Sequence, residues 1–592
     1  MSLTDLRATR TRHEVAALLR YRPSAVSFIV HATPPAARYT TFDIPKRSGG
    51  VRTIDAPNDR LKGLQRSLSK LLYECLREIE AKDPRRNKLS HAFRPGASII
   101  SNAKTHHRRR YVLNLDLKDF FPAFNFGRVR GFFLKSEHFL LAEPVATLLA
   151  QIACKDGKLP QGSPCSPVIT ELMTHFLDIR LVKLAARHKC TYTRYADDIT
   201  ISTNQREFPS ALAELDGTEW KLGEELVSRI NDAGFEVNDA KTRMQLRGSR
   251  QMVTGLTVNE KANVAQAYYK RVRATAHRFL TTGAYELNGV ACNSVPRLEG
   301  MINHIYHVRE RQIDIAIANE GNKEKQHKLH AERTKMKNEW PSAIRVVYYE
   351  LIFFKSFINP PRPLIICEGP TDPVYLKTAI RRLAAAHPLL ASVVGGKPEL
   401  KVNFFKYSDQ ARDFLQLRGG SGDLLRFLIS WKDAFNRYNF RPAEHPVIVL
   451  IDNDDGAKEI FSYLNNKKNY GLDIAWDKHD PFFHLHGPLY LVKTPALGAN
   501  HMSCPEDFFE PAVLAEKLDG KSFNKENKIN SATEYGKAVF ATRVVRPRAG
   551  SINFAGFTPL LERIEAVIRD YAARKAAAAA PVPAVAAAAP TP

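Results

Sequence analysis

The segment that decides the fold of the first part of the chain is TYTRYADDITIS, residues 191–202. Its two flanks are rich in β-branched and aromatic residues, which predicts the two strands of a hairpin. The tip of this hairpin carries two adjacent carboxylates, Asp197 and Asp198. Adjacent like charges repel, and a divalent cation, which prefers hard oxygen ligands, is the usual reason to place them together. A solvated Asp-Asp turn is the alternative for these tip residues alone.

A third carboxylate lies upstream of the hairpin, where the apolar run YVLNL at residues 111–115 ends in Asp116. The run predicts a strand, and the pattern becomes helical after it. Because a strand end can face a hairpin tip, we expect Asp116 to lie near Asp197 and Asp198. Three carboxylates there would hold two Mg²⁺ ions, one activating a 3′-hydroxyl and the other steadying the leaving pyrophosphate. This pattern predicts nucleotidyl transfer.

Three further segments extend this pattern: IPKRSGGVRTI at residues 44–54, LPQGSPCSP at 159–167, and GFEVN at 234–238 with Lys241 beyond it. In this order the segments resemble the fingers and palm of reverse transcriptases. The resemblance implies that the metal ligands are Asp116, Asp197 and Asp198. It also implies a nucleotide site in which Arg52 contacts the triphosphate, Gln161 lines the pocket, Phe121 excludes a ribose 2′-hydroxyl and Lys241 protonates pyrophosphate. Core packing for Phe121 and a solvated surface position for Lys241 are the alternatives.

Two short elements are similar to the signature elements of retron reverse transcriptases: NAKTH at residues 102–106 and Val253-Thr254-Gly255. Retron enzymes copy a small structured RNA into branched multicopy DNA. The resemblance implies RNA-binding roles for Asn102, His106, Val253, Thr254 and Gly255. A basic segment with helical spacing and interleaved tyrosines follows, and it adds Arg271 and Arg273 as candidate RNA contacts. A helical bundle with a solvated basic face is the competing interpretation.

A second acidic pattern occurs in the C-terminal half. The apolar run LIIC at residues 364–367 leads into Glu368 and Asp372, and VIVLI at 447–451 leads into Asp452 and Asp454. Continuous apolar runs predict parallel strands covered by helices, and ligand sites in such sheets gather at the carboxyl ends of the strands. Either segment alone could be a simple turn. Together they resemble a Toprim domain of the nuclease branch, which implies Mg²⁺ or Mn²⁺ ligands at Glu368, Asp372, Asp452, Asp454, Glu506 and Asp507, with Lys537 stabilising charge.

The composition agrees with a nucleic-acid partner. The 592-residue chain has a formal net charge of +25 and a pI near 9.7. Such an excess is typical of proteins that bind polyanions. The chain has no run of 18 apolar residues and no N-terminal signal core, so we expect a cytoplasmic protein without a membrane partner, in the bacterial host that the resemblance implies. Seven cysteines without a Cys-x-x-Cys pair argue against a disulfide framework or a cysteine zinc site.

The expected fold class is multidomain α+β and α/β, with right-hand-like fingers, palm and thumb followed by a Toprim domain whose sheet is mainly parallel. The expected boundaries are 1–256 for N-terminal helices, fingers and palm, 257–317 for an RNA-binding thumb, 318–360 for a helical connector, 361–570 for the Toprim domain and 571–592 for a disordered Ala/Pro tail.

The resemblance implies an RNA-directed DNA polymerase that uses dNTPs, copies a cognate noncoding RNA and stays bound to its product, the branched multicopy single-stranded DNA (msDNA). That product would restrain a Toprim nuclease, which acts on a nucleic acid, in antiphage defence. A homo-oligomer is compatible with the sequence. Two alternatives remain open: a non-catalytic C-terminal scaffold for nucleic-acid binding or assembly, and a mobile-element reverse transcriptase.

Overall fold

The structure is a computed structural model that describes residues 2–46, 49–83, 88–338, 342–472, 474, 480–497, 502–526 and 528–579. Arg47 and Ser48 of the predicted fingers segment and residues 580–592 of the predicted tail lie outside these ranges. The chain divides into two compact units, Met1–Tyr268 and Tyr269–Pro592. Among the described residues, no helix combines the length and the apolar character needed to cross a membrane.

The first unit joins helices to short antiparallel sheets. Its helices are α1 (Leu3–Ala8), α2 (Arg12–Leu18), α3 (Pro23–Ser27), α4 (Pro35–Arg38), α5 (Asp59–Lys82), α6 (Ile99–Thr105), α7 (Phe126–Lys135), α8 (Glu143–Ala153), α9 (Ser166–Arg187) and α10 (Glu224–Asn231). Its strands are β1 (Tyr39–Pro45), β2 (Val51–Pro57), β3 (Tyr111–Asp116), β4 (Thr191–Tyr195), β5 (Asp198–Thr203), β6 (Ala213–Asp216), β7 (Glu219–Leu222), β8 (Arg243–Leu246), β9 (Met252–Val253) and β10 (Leu256–Thr257).

The central sheet of the first unit has the strand order β4-β5-β3-β8, with every pair antiparallel. The predicted hairpin is confirmed, since β4 and β5 pair with Tyr195 opposite Asp198. Helix α5 buries apolar residues at helical spacing, among them Leu61, Leu64, Leu68 and Leu72, and contacts α8 and α9 in one continuous core. The core packs against the sheet, and Asp198 at the end of the sheet is exposed to solvent.

The second unit contains the remaining elements. Its helices are α11 (Gln266–Thr282), α12 (Val295–Arg309), α13 (Arg311–Asn319), α14 (Lys323–Asn338), α15 (Ala343–Phe353), α16 (Asp372–Arg382), α17 (Ser421–Asn436), α18 (Asp455–Asn465), α19 (Pro511–Leu514), α20 (Lys537–Val539) and α21 (Thr558–Ala579). Its strands are β11 (Tyr285–Leu287), β12 (Val290–Cys292), β13 (Leu364–Cys367), β14 (Ala391–Val394), β15 (Lys397–Leu400), β16 (Asn403–Phe404), β17 (Val447–Ile451), β18 (Phe483–His486), β19 (Leu489–Lys493), β20 (Ser522–Phe523) and β21 (Glu534–Tyr535). Helix α11 begins three residues before the boundary between the units.

The main sheet of the second unit has the order β16-β13-β17-β19-β18. Strands β16, β13, β17 and β19 are parallel, and β18 is antiparallel to β19. All residues of β13 and β17 are buried. On one face, side chains of these strands pack against residues of α16 and α21, such as Leu376 and Leu561. The sheet therefore brings the carboxyl ends of β13 and β17 side by side.

Two expected boundaries differ from the structure. Residues of α15 and of the turn after it, including Tyr348, Phe353 and Phe357, are buried in the second unit, so this part of the expected connector is core. Helix α21 continues to Ala579, so residues 571–579 are helical rather than part of a disordered tail. Tertiary packing explains the first difference, because the connector residues are buried. Residues 572–578 are exposed, and their helix agrees with the high helix propensity of alanine.

Candidate active sites

Three acidic residues of the first unit converge at one end of the central sheet. Asp116 is the last residue of β3, Asp198 is the first residue of β5, and Asp197 lies in the turn before it. The register places Asp116 directly opposite Asp198, a position in which Cβ atoms are about 4.5–5.5 Å apart. The Leu117 N–H donates to the Asp197 carbonyl over 3.0 Å, which ties the end of β3 to the turn. The structure thus brings the three predicted carboxylates together.

A buried arginine holds this turn from inside the protein. Arg194 is 1% exposed, and its guanidinium donates to both carboxylate oxygens of Asp178 over 2.7 and 2.8 Å. It also donates to Glu171 over 3.2 Å and to the Ala196 carbonyl over 3.1 Å. Ala196 has a left-handed backbone with φ +56°, a conformation that needs such support in a non-glycine residue. The sequence analysis missed Arg194, because arginine is rarely buried and no local pattern marks it.

The carboxylates differ in their partners. Asp116 accepts hydrogen bonds from Lys241 Nζ at 2.8 and 2.9 Å and from Asn238 Nδ2 at 3.1 Å. Solvent reaches Asp198, yet partial burial and the neighbouring charges of Asp197 and Asp116 raise its pKa to about 7. Burial raises the pKa of Asp197 as well, and the charge of Asp116 adds to this. The acids therefore repel one another, and the positive charges of Lys241, Arg52 and Arg243 offset this repulsion only in part.

The chemistry of this donor set fits a hard divalent cation, which would relieve the repulsion. Among the described residues, no three His, Cys, Asp or Glu side chains already stand in a metal-ligating arrangement. At Asp116, the ammonium group of Lys241 donates to both carboxylate oxygens. The sequence analysis assigned Lys241 to pyrophosphate, and the structure adds its contact with a predicted metal ligand.

The predicted nucleotide-site residues surround this end of the sheet. Arg52 is exposed on β2 and is close enough for its charge to lower the pKa of Asp197. The main-chain carbonyl of Gln161 accepts from the Asp55 N–H over 2.7 Å, so the loop of Gln161 docks on β2. Phe121 is half-buried, whereas the adjacent Phe120 is 4% exposed and belongs to the core. Phe120 is thus fully in the core, whereas Phe121 packs against the core and keeps partial exposure to solvent.

Replacement of Gly162 by alanine tests the docking of this loop. Gly162 has φ +126°, and an added Cβ would lie 2.5 Å from the Asp55 carbonyl oxygen. The strain of such a conformation is about 1–3 kcal/mol, so we expect the KM for dNTP to rise roughly 5- to 150-fold in a primer-extension assay. Gly131→Ala in α7 is the matched control, because an added Cβ there meets nothing within 4 Å. Equal KM values for the two variants would contradict this role.

The second acidic cluster lies at the carboxyl ends of β13 and β17. Glu368 follows β13, Asp452 follows β17, and the Asp452 N–H donates to Glu368 Oε2 over 3.1 Å. Asp372 begins α16 and accepts from the Gly369 N–H over 2.7 Å. Lys537 Nζ donates to the fully buried Glu506 over 3.1 Å. The structure therefore brings these five predicted residues into one site.

Burial and the mutual repulsion of like charges raise the pKa values of carboxyl groups in this cluster. Burial first, and then the charges of Asp372 and Glu368, raise the pKa of Asp452 to about 9. Burial and the charge of Glu506 raise the pKa of Asp372 to about 7. Glu506 Oε1 is buried and has no hydrogen-bond partner among the described residues. An unpaired oxygen beside crowded carboxylates fits a hard divalent cation.

The two remaining predicted ligands of this cluster behave differently. Asp454 caps α18, accepting from the Gly456 N–H over 2.9 Å, and its charge raises the pKa of Glu368, so it lies beside the cluster. The predicted role of Asp507 as a ligand of the cluster is corrected, because its carboxylate binds Lys525 over 2.7 Å and the Cys504 N–H over 3.0 Å. These contacts lower its pKa despite partial burial. Adjacent acids in a short 3₁₀ turn point in different directions, and only Glu506 enters the site.

Asp452→Asn is expected to stabilise the metal-free second unit at alkaline pH. Folding raises the pKa of Asp452 from 3.8 to about 9, so the folded state binds a proton that the unfolded state has lost. Stability then falls as pH rises between those values. In EDTA at pH 8 we expect a higher Tm for the variant, roughly 2–4 °C for each kcal/mol of relieved repulsion. At pH 4 the difference should vanish. An equal gain from Asp455→Asn, an exposed neighbour, would contradict this origin.

The comparisons with known proteins concern the first unit mainly. A family model described as reverse transcriptase (RNA-dependent DNA polymerase) matches residues 44–280. Retron Mx65 reverse transcriptase of Myxococcus xanthus is 38% identical over 290 residues, covering 45% of this chain and 63% of that protein. Retron Mx162 reverse transcriptase of the same organism is 36% identical over 270 residues, covering 41% and 53%. Retron Ec86 reverse transcriptase of Escherichia coli is 30% identical over 256 residues, covering 43% and 73%.

The chain belongs to the retron reverse transcriptases. It spans 63% and 53% of the length of the two Myxococcus xanthus relatives. All three carboxylates of the first unit lie within the region that the family model matches. This retron reverse transcriptase therefore has a multidomain mixed α/β architecture with a reverse-transcriptase-like fold.

The first retron signature element is buried in this retron reverse transcriptase. Asn102 and His106 are both 0% exposed, so the expectation that they contact RNA directly is wrong for this conformation. Thr193 Oγ1 donates to Asn102 Oδ1 over 2.5 Å, and His106 joins Thr193 and Ser202 over 2.7 Å each. Because the one Thr193 proton is used, His106 Nε2 must donate and Nδ1 accept. Burial lowers the pKa of His106 to about 3, which agrees with a neutral ring.

The second signature element is a tight hairpin that packs on the first. Thr254 and Gly255 form the two-residue turn between β9 and β10, with φ +46° and +81°. Thr254 Oγ1 donates to the Ile99 carbonyl at the start of α6 over 3.1 Å. Val253 is 0% exposed and Gly255 is exposed. Both elements therefore brace the sheet, and an RNA contact at Val253 is excluded by burial.

The two predicted arginines of the thumb segment are exposed, in contrast to the buried residues of the signature elements. Arg271 and Arg273 are exposed on α11. The guanidinium groups of Arg273 and Arg309 lie 5.7 and 4.0 Å from the centre of the Tyr269 ring. The side chains on this face of the retron reverse transcriptase are accessible to phosphates.

Proposed function

We propose that the first unit is an RNA-directed DNA polymerase that copies a cognate structured noncoding RNA into RNA-linked multicopy DNA. The observation that carries this proposal is the register of Asp116 opposite Asp198, with Asp197 between them. Membership of the retron reverse transcriptases supports the choice of template and product. The mobile-element alternative has no such support. Bacterial cytoplasm, where dNTPs are available, is the proposed setting.

The proposed mechanism assigns a task to each side chain of this site. Two Mg²⁺ ions, when bound by the three aspartates, would supply a lowered pKa for the primer hydroxyl and charge neutralisation at the phosphates. Arg52, exposed on β2, binds the triphosphate of the incoming dNTP. Phe121 presents a ring edge to the sugar and excludes a 2′-hydroxyl. Lys241 releases Asp116 as the site fills and then offers its proton to the departing pyrophosphate.

We propose that the second unit is a Toprim-type phosphodiesterase that uses Mg²⁺ or Mn²⁺. Its support is the cluster of Glu368, Asp372, Asp452 and Glu506 with Lys537, at the ends of adjacent parallel strands. Bound metal would supply an activated water for phosphodiester cleavage. Lys537 steadies negative charge and Glu368 orients the Asp452 backbone. The msDNA product restrains this nuclease, and damage to it by a phage releases the activity and halts the host.

A non-catalytic scaffold is the second candidate for this unit. Against it stands the electrostatic cost of the cluster, in which burial and like charges raise the pKa of Glu368, Asp372 and Asp452. A scaffold gains nothing from buried acids that repel one another. A metal-dependent enzyme uses them as ligands.

Sequencing of the nucleic acid that copurifies with the full chain tests the polymerase proposal. We expect a short RNA joined by a branch to single-stranded DNA, and only when Asp198 is intact. Because an Asp198→Asn chain keeps its basic surface, it should copurify with the same RNA without DNA. Random cellular RNA in both preparations would contradict the proposal.

A further inference from the structure

A small basic cavity lies on the second unit, outside the acidic cluster. Its volume is about 310 Å³, and it is lined by the outer face of α16 and by the segment 546–550. Four of its lining residues are cations, Lys377, Arg381, Arg382 and Arg546, and none is a carboxylate. On α16, Lys377 and Arg381 lie four residues apart and therefore on one face of the helix, and Arg382 follows Arg381 directly. The cavity is therefore a concave surface of one sign of charge.

In the part of the chain that the structure describes, the cations of this cavity have no carboxylate partners. Among the described residues, no ion pair involves Lys377, Arg381, Arg382 or Arg546. Two arginines in the same segment as Arg546 are paired instead: Arg543 with Asp519 over 2.9 Å and Arg548 with Glu516. Of these three arginines, Arg546 alone has no ion pair within the described part of the chain.

Burial and neighbouring positive charges lower the pKa of Lys377, the least exposed of the four cations. Burial, the charge of Lys406 and the charges of Arg381 and Arg546 all lower the pKa of Lys377. Like charges gathered in a concave surface destabilise the folded chain unless an anion binds there. A larger cavity of the second unit, about 1120 Å³, offers a contrast, because its Asp409 pairs with Arg412 over 2.9 Å and its Asp413 with Arg345 over 3.4 Å.

One helix connects the cavity to the acidic cluster. Asp372 begins α16 and is buried toward the cluster, whereas the cations lie on its outer face. From the helical rise, Lys377 lies about 7.5 Å and Arg381 about 13.5 Å along the axis from Asp372. Phosphates of a duplex strand advance about 3.4 Å per nucleotide. The cations are thus spaced to reach phosphates roughly two to four nucleotides from a phosphodiester held at the cluster.

We propose that Lys377, Arg381, Arg382 and Arg546 bind the phosphate backbone of the polynucleotide that the acidic cluster cleaves. This inference rests on the nuclease proposed for the second unit and adds the path of its substrate. Guanidinium groups suit this task because they bind phosphate oxygens in pairs. Binding of this kind is independent of base sequence and weakens with salt.

Chemical footprinting of Lys377 in the full chain separates this site from the other basic surfaces. The chain is acetylated in EDTA, with and without a 20-nucleotide single-stranded DNA, and modification is read by mass spectrometry. We expect the oligonucleotide to slow acetylation of Lys377 at least fivefold, while exposed Lys397 of the β14–β15 hairpin reacts unchanged. Arg381→Ala combined with Arg546→Ala should remove this protection. Arg543→Ala combined with Arg548→Ala removes the same charge from paired positions and should preserve it.

The salt dependence of protection supplies a second readout. Each lost phosphate contact lowers the slope of log K against log salt by about 0.7 for single strands, so the cavity variant should lose about 1.4. Equal reactivity of Lys377 with and without oligonucleotide would overturn the inference. Protection by inorganic phosphate alone would overturn it too, since that result describes a small-anion pocket.

Cleavage measured separately in Mg²⁺ distinguishes the two proposals. If the wild-type chain cleaves DNA or RNA, the cavity variant should show a KM at least tenfold higher with kcat unchanged. Protection of Lys377 without any cleavage by the Asp198→Asn chain, which makes no msDNA to restrain the second unit, would leave the backbone site standing and overturn the nuclease. Cleavage with no protection of Lys377 and an unchanged KM would leave the nuclease standing and overturn the backbone site.

Discussion

Asp198→Asn is expected to lower the rate of DNA synthesis by on the order of 10³-fold or more. The side chain keeps its size but loses the anionic oxygen that a hard cation requires. Because Asp198 lies directly opposite Asp116 in the strand register, its loss disrupts the whole carboxylate set. The measurement is primer extension on an RNA template with the purified full chain, dNTPs and Mg²⁺.

Asp119→Asn is the matched control for this experiment. Asp119 is an exposed carboxylate three residues after Asp116, and its φ of +45° is a conformation that asparagine adopts readily. We expect near wild-type extension from this variant and equal RNA binding from both. If Asp198→Asn extends primers within tenfold of Asp119→Asn, the carboxylate site is not the polymerase site.

Glu368→Gln is expected to abolish phosphodiester cleavage by the second unit, again by about 10³-fold, and to leave DNA synthesis unchanged. Glutamine can still accept the Asp452 N–H through its amide oxygen, so the local fold should persist. The loss of one negative charge removes a proposed metal ligand at the carboxyl end of β13. The measurements are cleavage of labelled DNA and RNA in Mg²⁺ or Mn²⁺, and survival of phage-challenged cells that express the full system.

Asp455→Asn serves as the control for the second unit. Asp455 is exposed next to the cluster and pairs only with the nearby Lys458 in the described structure, over 2.7 Å. Cleavage and protection should survive this change. If Glu368→Gln protects cells as well as Asp455→Asn does, the second unit acts as a scaffold, and the acidic cluster has a role other than catalysis.

Local patterns in the sequence were sufficient for the strands that carry both sites. The bounds of β13 and β17 agree with the apolar runs, and β4 and β5 form on the two flanks of the predicted acidic tip. Such strands are short, β-branched and flanked by turn residues, so their ends are legible locally. Since acidic residues follow these strands directly, their convergence could also be anticipated.

Long-range contacts could not be predicted in this way. Lys241 reaches Asp116 across 125 positions, and no local spacing encodes that contact. Asn102 and His106 are polar residues beside a basic run. This pattern is typical of an exposed surface, yet both side chains are fully buried. Asp507 and Glu506 are adjacent acids, yet their carboxylates bind different lysines, Lys525 and Lys537. Burial and direction depend on tertiary packing, which a pattern of residue types leaves undetermined.

The burial of Arg194 predicts that two properties of the chain respond differently to ionic strength. Mobile ions screen exposed charges within about 10 Å at 0.1 M salt but act weakly on pairs sealed from water. Arg194 and Asp178 are sealed in this way, with exposed fractions of 1% each, so the catalytic turn should keep its shape in concentrated salt. Template capture by exposed arginines such as Arg271 should fail first. High salt would then release the nucleic acid from an enzyme whose chemistry is still in place.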